Sequence, residues 1–189
     1  MGYQTFFKGY LTLGKQLTVE QINYLNAFTS IRKMKRDVQK LMEIYKGTLG
    51  YPGKEVGKNS AEEIYGFEGE YFVGKYDREI EDASIIDINI PPGQADLVFA
   101  DSPISKKLGI PSLWCHWCVH SNEQTNEMQI KWDGFVNFYQ HEEWLKYLVN
   151  HFFEPWGIKL NGQIQWQGQT SADKGTYHIE DNLIKITRK

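Results

Sequence analysis

Gln163, Gln165 and Gln167 alternate with Ile164 and Trp166. A period of two belongs to a strand whose two faces meet different surroundings, here one wet and one dry. A dry sheet face has to be covered by a second layer, so this run alone demands a layered domain. Two further stretches obey the same rule. Residues 113–120 place Leu113, Cys115, Trp117 and Val119 on one face, and residues 127–132 place Met128, Ile130 and Trp132 on one face. The polar run 121–126 joins them as an antiparallel pair. Their opposite face then carries Trp114, His116, Cys118, His120, Gln129 and Lys131. Residues 4–13 also alternate, with Phe7, Leu11 and Leu13 on one face and Gly9 between them.

Turn chemistry adds two hairpins. Asn161-Gly162, between 158–160 and 163–167, is the strongest short hairpin signal a sequence can carry. Asp181-Asn182 separates 176–180 from 183–187.

The helical period occurs twice. Thr18 and Gln21 form a capping box. Ile22, Leu25 and Phe28 follow at helical spacing, continued by Ile31, Met34, Val38 and Leu41. Residues 137–153 carry a second stripe of Trp144, Leu145, Leu148, Val149 and Phe152, stopped by Pro155 and Gly157. Between these regions Tyr51-Pro52-Gly53 signals a turn, residues 70–74 read as a short strand, and residues 75–111 have no clear period. The chain reads as a single α+β domain over 1–189. Its expected architecture is a mainly antiparallel sheet of about six or seven strands with two main helices on one face.

Several classes are set aside by composition. A net charge of -3 argues against a general nucleic-acid binder. Two cysteines do not make a disulfide framework. No apolar run approaches bilayer length, and the start Met1-Gly2-Tyr3-Gln4-Thr5-Phe6 lacks the order of a signal peptide. The expectation is a cytoplasmic protein with reduced thiols.

Metal-capable side chains crowd only at 115–120. His116, Cys118 and His120 point the same way on a strand, roughly 6.5–7 Å apart per step, and two of them can chelate zinc. Cys115 and Cys118 spell C-x-x-C but point to opposite faces of a strand, and a second ligand pair is missing. Sheet-surface histidines beside a buried Cys115 are the plainer reading, so neither metal nor cofactor is expected. His141-Glu142-Glu143 resembles a zincin start, yet Leu145 stands where the second His belongs. Cys118 and His141 form a nucleophilic pair only if the fold joins them. Walker, GxGxxG and GxSxG motifs are absent from the sequence.

All six tryptophans lie between 114 and 166. Most read as core; Trp114, on the outward face, is the best candidate for a stacking or contact residue. The expected binding set is Trp114, His116, His120 and Lys131. The basic run Arg32, Lys33, Lys35 and Arg36 reads as a solvated helix face, a break between helices, or an anion-binding patch.

The motifs Leu113-Trp114-Cys115-His116-Trp117, Trp132-Asp133-Gly134, Pro155-Trp156-Gly157 and Leu160-Asn161-Gly162-Gln163-Ile164-Gln165-Trp166 also carry a resemblance. Over about 111–184 the chain resembles a family of small uncharacterised proteins carried by bacteriophages and bacteria. That family often has Gln at the place of His116 and Glu at the place of Gln169. The family brings no known activity; the absence of catalytic motifs together with this resemblance leads to the expectation of a non-enzymatic binding protein of phage or mobile-element type. The expected partner is a host protein, and inhibition of a defence system is the expected role. A nucleotide or small-molecule binder using an aromatic sheet face is the alternative, and a metal-dependent or nucleotide-processing enzyme comes third.

Overall fold

The computed structural model describes residues 2–30, 111, 112 and 114–189. The basic run Arg32, Lys33, Lys35 and Arg36, the helical continuation through Leu41, the 70–74 strand, the 75–110 segment and Leu113 lie outside the described residues. The chain divides into two compact units, one of Met1–Thr18 with Cys115–Lys189, the other Val19–Trp114.

In the second unit, helix α1 spans Val19–Ser30 and buries Tyr24, Leu25 and Phe28. Thr18 stands directly before its first residue, where a capping hydroxyl belongs. At its other end the hydroxyls of Thr29 and Ser30 donate back to the Asn26 carbonyl at 3.2 and 2.7 Å.

The first unit is a sheet with one helix. Its strands are β1 Thr5–Leu13, β2 Trp117–Ser121, β3 Met128–Trp132, β4 Leu160–Gly168, β5 Lys174–Glu180 and β6 Leu183–Arg188. They form a six-stranded antiparallel sheet in the order β2-β3-β1-β4-β5-β6. With α1 and the helix below, this is the expected α+β class. The N-terminal strand lies in the middle, joining the β2–β3 hairpin to the C-terminal strands.

Alternation sorts most of the strand side chains. Leu11, Trp117, Ile130, Ile164, Trp166, Tyr177 and Ile179 are buried on one face. Helix α2, His141–Leu148, continues into a π-helical turn, Val149–Phe153. Trp144, Leu145, Leu148 and Phe152 are each at most 2% exposed, so the stripe faces the core. The wider turn closes bonds from Glu154 N–H to the Val149 carbonyl and from Ile158 N–H to the Phe153 carbonyl, at 2.9 and 2.8 Å. It rotates Phe153 inward beside Phe152, and both are fully buried.

Two expectations are corrected. Helix α2 begins at His141, not at 137. The Val136 carbonyl accepts the Thr5 N–H (2.8 Å), the Asp133 carboxylate accepts the Phe135 N–H (2.8 Å), and Gln140 sits at φ 52. One tertiary bond, one local side-chain bond and a left-handed Gln140 together hold 133–140 out of the helix. Asn161-Gly162 is also not a turn; it lies inside the continuous β4, with Leu11 opposite Gly162. Gly162 has φ +139, and a Cβ there would stand 2.6 Å from the Tyr10 carbonyl oxygen. The glycine serves close approach of two strands rather than reversal of one. The Asp181-Asn182 hairpin forms as expected, with φ 47 and 72 at its centre. Asn182 then reaches across to the start of β4. Its side chain accepts the Leu160 N–H (2.7 Å) and donates to the Ile158 carbonyl (2.9 Å).

Candidate functional site: the open face of the sheet

The face turned away from α2 is built from the alternate residues of the same strands. Phe6, Lys8 and Tyr10 on β1 stand opposite Gln167, Gln165 and Gln163 on β4. Those glutamines stand opposite Lys174, Thr176 and His178 on β5, and His178 stands opposite Lys185 on β6. The result is three rows running across the strands. Phe6 is 50% exposed and Tyr10 44%. The Lys131 ammonium lies over the Tyr10 ring, 5.5 Å from its centre. Gln167 donates to the Gly168 and Thr170 carbonyls at 3.0 Å, which ties the 168–173 loop to the sheet. A shallow concavity of about 340 Å³ opens here. Phe6, Lys8, Gln165, Gln167, Lys174 and Thr176 line it together with Phe7, Trp166, Gly175 and Lys189.

Behind this face lies a polar cluster that belongs to the core. His141 Nδ1 and the Tyr177 hydroxyl are hydrogen-bonded at 2.5 Å. Trp166 stacks on Tyr177 with ring centres 4.5 Å apart, and a Cβ on Gly175 would collide with the Trp166 ring. The Trp166 indole N–H and the Tyr3 hydroxyl both donate to the Asp173 carboxylate, at 3.3 and 2.6 Å. Burial pushes His141 down to about 4, so the imidazole is neutral at pH 7; the Asp173 and Glu142 charges oppose this only in part. Burial, with Glu142 and Glu143 nearby, pushes the Tyr177 hydroxyl up. Both groups are held neutral between a helix terminus and a sheet. Glu142 pairs with Lys146 at 2.6 Å and with Arg188 of β6 at 2.8 Å, which fastens the same helix terminus to the sheet edge.

The residues singled out from the sequence separate. Lys131 reaches the open face, over Tyr10. His120 is exposed on the same face as Lys131, opposite Gln129. His116 does not join them. It precedes β2, so alternation no longer fixes its direction, and its side chain turns to the 133–138 loop. There it pairs with Asp133 at 2.7 Å, stacks on Phe135 with centres 4.6 Å apart, and is 11% exposed. Gln129, read as outward, is 1% exposed, and neither of its amide atoms finds a partner among the described residues. Trp114 is 37% exposed and belongs to the other unit.

The thiols also part. Cys115 is buried and its Sγ points to the Trp117 carbonyl, whereas Cys118 donates to the Lys131 carbonyl at 3.4 Å. Burial, reinforced by Asp133, pushes the Cys118 thiol up to about 11, so it is a poor nucleophile at neutral pH. With His141 bonded to Tyr177, the Cys118–His141 pair has no geometric support. Among the described residues, no three of His, Cys, Asp or Glu gather as a metal site would require. Phe6, Lys8 and Tyr10 went unremarked in the sequence. Their signal was the opposite parity of the strand read from Phe7, Leu11 and Leu13.

The chain matches no family model, no curated protein and no solved structure. Among the described residues, no helix is long and apolar enough to cross a membrane.

Proposed function

We propose that this chain is a non-enzymatic binding protein, with the open face of β1, β4 and β5 as its contact surface. The observation that carries this reading is the pair Phe6 and Tyr10, half exposed on one sheet face in a field of polar side chains. Exposed rings beside polar groups are the composition of a contact surface. The groups best suited to chemistry support it from the other side. The Cys118 thiol is held protonated, and His141 is held neutral against Tyr177 inside the core.

The motif resemblance over about 111–184 supports a bacteriophage or mobile-element setting in a bacterial cytoplasm. In that setting the partner is a host protein, and blocking a defence component is the role. A second reading, a nucleotide or other small molecule, is favoured by the 340 Å³ concavity, which has the volume of a small-ligand site.

The test is capture from a bacterial lysate by the whole chain and by a Phe6→Ala, Tyr10→Ala double variant. The wild type retains a molecule, of whatever class, that the folded double variant does not. Equal retention by both removes the open face from the function.

A further inference from the structure

We infer that the open face binds a single-stranded nucleic acid, held by Phe6, Lys8 and Tyr10 of β1 together with Gln163 and Gln165 of β4 and Lys174 of β5. This rests on the binding-face reading alone, not on the host-protein partner, and assigns that face a nucleic acid.

The rings come first. Phe6 and Tyr10 expose 50% and 44% of their surface and stand four residues apart on one strand face. The strand rise sets them about 13 Å from each other. Every base has a π face, so two rings at this separation each hold a base of an extended strand, with little regard to sequence.

Charge comes second. Lys8 stands between the two rings, Lys174 and Lys185 lie in the rows across the sheet, and Lys131 covers Tyr10. Among the described residues, the three rows carry no carboxylate; Glu180, of the same parity on β5, stands one step beyond them. The net charge of -3 averages over the whole chain, whereas four of the described lysines, Lys8, Lys131, Lys174 and Lys185, stand on this one face. A phosphodiester backbone meets a local positive field there, whatever the mean.

Third, the Gln163 and Gln165 side chains are exposed beside the rings, and each amide offers both donors and an acceptor. Unstacked bases present the same mixture on their edges. Two rings set apart with a lysine between them suit an extended strand better than a single desolvated apolar centre. A duplex keeps its bases stacked inside, so it leaves the rings unused.

Fluorescence anisotropy with a labelled ten-nucleotide oligouridylate, and with oligothymidylate of the same length, tests the inference on the whole chain. Saturable binding at 50 mM salt is expected. It should weaken about tenfold at 200 mM, as two or three phosphate contacts require. Phe6→Ala and Tyr10→Ala should each weaken it about tenfold or more. Lys8→Glu should weaken it and flatten the salt dependence, while Lys146→Gln, on α2, should leave it unchanged. Melting curves separate loss of binding from loss of fold. If Phe6→Ala unfolds, Lys8→Glu carries the test.

Absence of binding to both oligonucleotides overturns the inference, as does binding that is indifferent to all three face variants. Equal affinity for a duplex of the same length also overturns it. Lysate capture that needs Phe6 and Tyr10, survives nuclease and comes without oligonucleotide binding overturns the nucleic-acid partner while leaving the binding face standing.

Discussion

The two faces of one sheet use the same strands for opposite purposes. On β4, Ile164 and Trp166 are at most 5% exposed, while Gln163, Gln165 and Gln167 between them face solvent. On β1, Leu11 is fully buried and Tyr10 beside it is 44% exposed. The covered face holds its polar groups fixed: His141 on Tyr177, Trp166 on Asp173, Glu142 between two cations. On the open face the rings and the lysines stand out from the sheet. Stability is concentrated on one side of the backbone and contact chemistry on the other. A substitution can therefore strike either one by moving a single position along a strand.

The sharpest way to break this comparison is truncation on the covered side. Leu148 is 2% exposed on α2, and Leu148→Ala should cost about 2–5 kcal/mol of stability. Urea unfolding measures it, and an unchanged midpoint would mean that α2 does not cover the sheet.

The strand crossing comes next. Gly162→Ala forces a side chain into φ +139 against the Tyr10 carbonyl. The expected loss is on the order of 1–3 kcal/mol. Were Asn161-Gly162 a hairpin turn, Gly162→Asn would be well tolerated. A thermal melt showing both variants crippled supports the continuous β4.

Acid should act through the covered face. His141 titrates at about 4 in the fold against 6.5 in the open chain, so the unfolded state binds more protons between those values. Stability is then complete above about pH 6.5 and declines as pH falls toward 4, by roughly 1–3 kcal/mol. His151, also lowered by burial, acts in the same direction. His141→Gln should be less stable at pH 7 yet lose less on acidification. A parallel pH profile for variant and wild type would remove His141 as the cause.

The smallest stability effect belongs to the open face. Phe6→Ala should cost under about 1 kcal/mol, as surface changes usually do, although it removes a binding ring. A large loss there would show that Phe6, which sits edge-on to Trp132 at 6.2 Å, is a core residue rather than a contact.

Much of this was legible because it is local. The alternation of 163–167, the Asp181-Asn182 turn and the Trp144-Leu145-Leu148-Phe152 stripe each fix their structure within a few residues. The fold obeys all three. The covered face could thus be read from periodicity alone. Which residues share the open face could be read only strand by strand, because parity says nothing about neighbours in another strand.

What the sequence by itself determined is element type and the inward side of each element, since backbone geometry imposes periods of 2 and 3.6 on any chain. The tertiary structure decided the rest. It placed β1 between β3 and β4, and so aligned Phe6, Lys8 and Tyr10 with the glutamine row. It kept Asn161-Gly162 extended, because nine residues of β1 pair along β4 and outweigh a two-residue turn preference. It turned His116 away to Asp133, beyond the start of β2. Strand partners are chosen by contacts far apart in the chain, and a local pattern cannot encode which of several compatible edges a strand will find.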